Sequence, residues 1–200
     1  MTATQLAVLN TGSANLASVL AAFRRIGISP LLVSDGDGVR NAERLVLPGV
    51  GAFGAVMATL DTSGATEALV ERITAGRPLL AICLGFQVLC AASSESPGAT
   101  GLGILGATVE RFPFSVQAPQ LGWNRVTPAE PGGLVEPGYA YFANSYYVAE
   151  VDRSWHASHA EHGVRFVAAA ERGSQLACQF HPELSGAWGA SLLERWWARC

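Results

Sequence analysis

Charge is what this 200-residue sequence has least of: 13 Lys and Arg against 16 Asp and Glu leave a net charge of −3, with only 14% of residues charged. A surface that tracks nucleic-acid phosphates needs clustered positive charge, so the balance argues against that partner. Cysteine is scarce too. The four, Cys83, Cys90, Cys178 and Cys200, stand in a chain with no basic, cleavable leader, so no secreted disulfide framework is expected and a reducing cytoplasm fits best. Long apolar runs are also missing. The longest, from Pro78 to Ala92, falls short of the roughly 20 residues that span a bilayer, and Gly85 and Gln87 interrupt it. What the chain does hold is hydrophobic side chains, half of all residues, enough for one substantial core in a single domain over residues 1–200.

Short apolar runs set the organisation. Gln5–Leu9, Leu31–Val33, Arg44–Leu47 and Pro78–Ile82 read as strands buried on both faces, each closed by polar or Gly/Pro punctuation. Helical spacing falls between them, over Ala14–Ile26, over Leu60–Ala75 and from Leu84 onward. Beyond Gly101 the segments become short and β-rich: Ala107–Phe112, Gly122–Thr127, Tyr139–Ala149, Val164–Ala170 and Gln175–Phe180, then a terminal helix from about Gly186. The expected architecture is α/β, a flavodoxin-like three-layer sandwich whose mainly parallel sheet is extended by antiparallel strands.

Cys83 sits at a strand-to-helix junction in Ala81-Ile-Cys-Leu-Gly-Phe-Gln87, where a sharp turn exposes a side chain above the carboxyl edge of a sheet. Backbone N–H groups at a helix start favour the thiolate, the form that attacks a carbonyl carbon. His181, in Phe180-His-Pro-Glu183, follows another strand and reaches the same edge; Glu183 is placed to accept its ring N–H and fix the tautomer. The turn Leu47-Pro-Gly-Val-Gly-Ala-Phe53 offers backbone donors for an oxyanion. Cys90, Cys178 and Cys200 lack such surroundings. His156, His159 and His162 lack the companions of a metal site and read as surface residues.

Taken in order, Pro-Gly-Val-Gly-Ala-Phe, Ile-Cys-Leu-Gly-Phe-Gln and Gln-Phe-His-Pro-Glu resemble the class I (triad) glutamine amidotransferases over nearly the whole chain. Asn10-Thr-Gly-Ser-Ala-Asn-Leu-Ala-Ser-Val19, Gly101–Gly106, Leu121-Gly-Trp-Asn-Arg-Val126, Tyr141-Phe-Ala-Asn-Ser-Tyr146 and His181–Gly186 are similar to the HisH branch, the glutaminase half of imidazole glycerol phosphate synthase in histidine biosynthesis. The resemblance implies a Cys83–His181–Glu183 triad acting on the side-chain amide of L-glutamine through a thioester, with no metal or other cofactor. It implies an oxyanion hole from Leu84 and the Val50–Gly51 turn, and substrate contacts at Gly49, Gln87, Glu95, Ser145 and Tyr146. It also implies a heterodimer with a HisF-type (β/α)8 cyclase, docked on the face bearing Asn15, Trp123 and Tyr141.

Some assignments keep a plainer alternative. Glu95 has the plainer reading of a solvated loop charge, which the resemblance outweighs, and Trp123 and Tyr141 read equally as core or strand packing. The chain departs from the family pattern at Asn10, Gln120, Asn144 and Leu184, where Asp, His, His and a basic residue are usual. These changes put docking in question more than chemistry. The competing functions are a glutaminase of another pathway, a catalytically silent partner-binding subunit, and a DJ-1-like hydrolase or redox sensor built on an elbow cysteine.

Overall fold

The apolar runs of the N-terminal half become parallel strands, buried on both faces except for Leu31–Val33, an edge strand whose Leu31 and Leu32 are 48% and 52% exposed, against the expectation of burial there. The computed structural model describes residues 5–12, 15–128 and 130–200. In chain order the elements are β1 (Leu6–Leu9), α1 (Leu16–Arg25), β2 (Leu31–Val33), α2 (Gly36–Asn41), β3 (Arg44–Gly49), α3 (Phe53–Thr62), α4 (Ala65–Thr74), β4 (Leu79–Cys83) and α5 (Leu84–Gln87). There follow β5 (Ala92–Ser93), β6 (Thr108–Arg111), β7 (Gln120–Pro128), β8 (Gly138–Asn144), β9 (Tyr146–Val148), β10 (His156–His162), β11 (Val164–Arg172), β12 (Gln175–Cys178), a 3-10 turn (Pro182–Leu184) and α6 (Gly186–Arg199).

The large sheet runs β2-β1-β3-β4-β12-β11-β10-β7-β8. Its pairings are parallel from β2 as far as β12 and antiparallel from there to β8. The antiparallel extension is therefore as long as the parallel core. A separate small sheet, β5-β6-β9, packs beside it. Strand residues alternate between two apolar layers, as a period of two requires. Leu45, Leu47, Leu79 and Ala81 meet α2, α3 and α4 on one face; Val46, Leu80 and Ile82 meet α1 and α6 on the other, where Phe23 and Trp196 make an edge contact. This is the expected three-layer sandwich.

The parallel registers assemble the site. Gly49 lies opposite Cys83 across β3 and β4, while Cys178 lies opposite Ile82 across β12 and β4. Segments about 30 and 100 residues from the cysteine in sequence thus leave the sheet beside it.

Periodicity misjudged several boundaries. The helix expected over 60–75 is two helices, broken at Ser63–Gly64, where Gly64 has φ +69°. The first begins at Phe53, whose backbone N–H is capped by the carboxylate of Glu95 at 2.7 Å, a partner too distant in sequence to signal a start. Helix α5 stops after four residues because the carbonyls of Val88, Leu89 and Cys90 are taken by the amides of Leu102, Ile104 and Gly103. The strand expected over 139–149 is divided at Ser145, and β10 and α2 had not been anticipated as regular elements. The expected start of α1, Ala14, lies outside the described residues.

One buried cation ties the lower rim together. Arg72, 1% exposed, donates to the carbonyls of Val39, Ala42, Glu43 and Pro78 at 2.8–3.0 Å, joining the end of α2 to the starts of β3 and β4. Burial, with a smaller push from Arg77, lowers its pKa to about 10, which leaves it charged at neutral pH. Arg72→Leu strands these acceptors and is expected to cost about 3 kcal/mol of unfolding free energy, since each orphaned buried group costs about 1–3 kcal/mol. Urea unfolding checks this, and a loss under about 1 kcal/mol would show the carbonyls finding water instead.

Candidate active site

Cys83 closes β4 with φ +53° and ψ −108°, the one non-glycine residue of positive φ among the described residues. Such backbone costs on the order of 1–3 kcal/mol and persists where surrounding packing fixes it. The packing here is backbone against backbone. A Cβ on Gly85 would sit 2.1 Å from the Leu47 carbonyl oxygen, and one on Gly49 would sit 2.7 Å from the Gly85 amide nitrogen. Only glycine at both positions lets the Gly49–Gly51 turn lie flush on the nucleophile turn.

His181 is held at several points. Its backbone N–H donates to the Tyr141 carbonyl at 2.9 Å, and the Ser185 hydroxyl donates to the His181 carbonyl at 2.6 Å while accepting the Tyr141 N–H at 2.9 Å. Before it, Phe180 is wedged against Phe142 and Trp188. The ring Nδ1 lies 2.8 Å from Glu183 Oε1, both side chains buried, which leaves Nε2 for the sulfur. Burial pulls the imidazole pKa down, but hydrogen bonds from the ring to Cys83 and Glu183, with their charges, outweigh it and raise the pKa to about 10. The site therefore favours an imidazolium beside the nucleophile.

Two contacts escaped sequence reasoning. Asn15, expected on the partner face, donates from its side-chain amide to Glu183 Oε1 and lies 3.4 Å from His181 Nδ1. Gln179 places its Nε2 3.6 Å from Cys83 Sγ and accepts from Gln87 Nε2 at 2.8 Å. Gln179 belongs to the Gln-Phe-His-Pro-Glu motif and to the expected strand over 175–180, but nothing local signals that it reaches the sulfur.

Val50, Gly51, Cys83, Leu84, Gln87, Glu95, Asn144, Ser145 and Tyr146 line one cavity above the sheet edge. Gly49 is buried beneath the turn. Glu95 faces this cavity and also caps α3, so it is more than a solvated charge. The short α5 changes one expectation, because a single turn contributes far less dipole than a full helix start.

The remaining candidates lie elsewhere. Burial pushes the Cys90 thiol up to about 12, and burial with nearby negative charge raises Cys178 well above the ordinary range. Burial raises Cys200 as well, against the pull of Arg44. The histidines of β10 diverge: His156 faces Glu130 at 3.9 Å, His159 faces Arg165 at 3.1 Å, and His162 faces the Gln117 carbonyl at 2.7 Å. Among the described residues no three His, Cys, Asp or Glu groups converge as metal ligands.

The class I glutamine amidotransferase model matches residues 7–199. This chain belongs to that family. It is 43% identical over 191 residues to the imidazole glycerol phosphate synthase subunit HisH of Methanothermobacter thermautotrophicus, covering 94% of this chain and 95% of that one. It is 36% identical to the chloroplastic imidazole glycerol phosphate synthase hisHF of Arabidopsis thaliana, covering 94% of this chain and 33% of that longer protein. A crystal structure of a glutamine amidotransferase superposes with a TM-score of 0.78 at 21% identity, over 96% of this chain and 97% of that one, a likeness of fold.

Of the four departures in this family member, two are paired and two lie apart. Gln120 and Asn144 are cross-strand partners on β7 and β8, both buried, and Asn144 donates to the Tyr146 carbonyl at 2.9 Å at the cavity wall. The two replacements therefore face each other. Asn10 is exposed and accepts the Gly12 N–H at 3.0 Å, and Leu184 is 40% exposed next to Glu183. Trp123 is 58% exposed and meets the half-buried Tyr141 edge-on at 6.3 Å, so strand packing and exposure coexist. No helix among the described residues is long and apolar enough to cross a membrane.

Because the folded pKa of His181 lies above its ordinary value, the charged ring contributes stability that is full below about pH 6.5 and lost as pH rises toward the folded value near 10. The stability advantage of wild type over His181→Gln should be largest near pH 6 and shrink by about pH 10. Denaturant melts across that range test it; a gap that does not change with pH would mean the ring is neutral.

Proposed function

We propose that the chain hydrolyses L-glutamine as the glutaminase subunit of an imidazole glycerol phosphate synthase in histidine biosynthesis, and hands ammonia to a HisF-type barrel. The observation that carries the chemistry is a cysteine held at φ +53° beside a buried His181–Glu183 pair 2.8 Å apart. Cys83 sulfur attacks the side-chain amide carbon, and the C–S bond forms as the carbonyl pair moves onto oxygen. His181 gives its proton to the nitrogen, the C–N bond breaks and ammonia leaves a thioester. Water then adds to the thioester carbon and yields its proton to His181; the C–S bond breaks, returning the electron pair to sulfur and releasing glutamate. Glu183 keeps the imidazole oriented throughout.

The oxyanion falls to backbone N–H groups of Leu84 and of the Val50–Gly51 turn, both at the cavity wall. Gly49 sets the height of that turn. Gln87, Ser145 and Tyr146 shape the bound glutamine, and Glu95 faces its α-ammonium. The partner face is built on β7 and β8, where Leu121, Trp123 and Tyr139 are each more than half exposed; Leu184 is 40% exposed. Asn15 and Tyr141 lie between this face and the triad. Leu184 brings apolar contact where a basic residue is usual, so docking here draws less on ion pairing. Four free cysteines suit a reducing cytoplasm.

Glutamate release from glutamine tests the reading. It should vanish in Cys83→Ala, rise strongly when a HisF-type barrel and its nucleotide ligand are added, and show a raised KM in Glu95→Gln. Release independent of the partner would point to another pathway. No release from a folded complex would leave a binding subunit.

A further inference from the structure

Among the buried polar groups that the proposed chemistry leaves idle, one touches the reacting atom. We propose that Gln179 is a catalytic residue whose side-chain amide donates to the Cys83 sulfur, sustaining its negative charge when the thiolate attacks and again when it departs from the thioester. The proposal rests on the glutaminase reading for its reaction steps, though not for the contact.

The geometry begins with position. Gln179 Nε2 lies 3.6 Å from Sγ, a normal separation for a donor to the large sulfur atom, and Gln179 is fully buried while Cys83 is 7% exposed. Its orientation is then fixed by what lies behind it. Gln87 Nε2 donates to Gln179 Oε1 at 2.8 Å and to the Tyr146 carbonyl at 3.3 Å. Turning the Gln179 amide over would set two NH2 groups against each other and a carbonyl oxygen against the thiolate. The backbone adds a third constraint, since Gln179 N–H donates to the Ala168 carbonyl at 2.8 Å. The amide is thus aimed at sulfur before any substrate arrives.

The chemistry supplies the need. A thiolate in a water-poor site requires donors, and the four-residue α5 gives little help from its dipole. His181 is one donor, but it must release its proton to ammonia in the first half-reaction and take one from water in the second. An amide N–H donates without transferring its proton. It is therefore available to sulfur at every stage, most usefully when the C–S bond breaks and the electron pair returns to sulfur.

The test reads the thiol directly. Gln179→Glu keeps an acceptor for Gln87 and replaces the donor; Gln179→Met removes both. The rate of Cys83 alkylation by iodoacetamide is followed against pH in the full chain and in its complex with the barrel, with Cys83→Ala as the blank. Donors to charged groups contribute enough that alkylation at neutral pH should fall about 10- to 100-fold in both variants and recover as pH is raised. The kcat for glutamine should fall by a similar factor, with KM changed less than about threefold. A folded Gln179→Met with wild-type alkylation at every pH overturns the proposal. If neither variant folds, the side-chain amide resonance of Gln179 in the wild-type chain decides: it should shift as Cys83 ionises and lose that shift in Cys83→Ala, and a pH-invariant resonance in the wild type overturns it. Because alkylation needs no glutamine turnover, a Gln179-dependent thiol in a chain that releases no glutamate would count against the glutaminase reading alone.

Discussion

The site depends on the parallel pairing of β4 with β3 on one side and β12 on the other. Every residue of β4 is buried, so its register is enforced on both faces by packing as well as by the hydrogen-bond ladder. Moving either neighbour by one residue would exchange its inward and outward faces and place the wrong atoms beside Cys83. With the register as found, the Gly49–Gly51 turn and the Gln179–Glu183 segment leave the sheet at the height of the sulfur. Cys83, the His181–Glu183 pair and the Gly49–Gly51 turn come from three segments, and none is positioned by a loop alone.

The strain at Cys83 is intelligible in the same terms. A positive φ at a non-glycine residue relaxes unless its neighbours resist, and here the resistance is the backbone contact among Leu47, Gly49 and Gly85. The two glycines are thus required by proximity more than by their own torsions. Arg72 serves the opposite rim, anchoring the chain just before β3 and β4 through its carbonyls, so the Cys83 strand and its neighbour β3 are fixed at each end.

The reach of sequence reasoning follows from this. Short apolar runs identified the parallel strands because burial on both faces leaves an uninterrupted signature, as at Leu45–Leu47 and Leu79–Ile82. That Cys83, His181, Glu183 and the Gly49–Gly51 turn would meet at one sheet edge was legible because each has a fixed sequence neighbourhood. Helix boundaries were not, since α3 is started by Glu95 and α5 is ended by residues 102–104, partners that no local window contains. For the same reason Gln179 and Asn15 could be quoted within motifs without their contacts being foreseen. What they touch is set by register and by side-chain reach across the sheet edge.

The triad and the exposed strand pair are mechanically one unit. Tyr141 on β8 accepts the His181 N–H through its carbonyl and gives its own N–H to Ser185, whose hydroxyl returns to the His181 carbonyl. The same strand presents Tyr139 to solvent, and its partner β7 presents Leu121 and Trp123. The exposed side chains of β8 are thus one hydrogen bond removed from the backbone that carries the imidazole. Asn15 adds a second connection, since its amide rests on the carboxylate that orients the same ring. The His181–Glu183 turn and the β8 strand therefore have no independent position, because each is held by hydrogen bonds to the other.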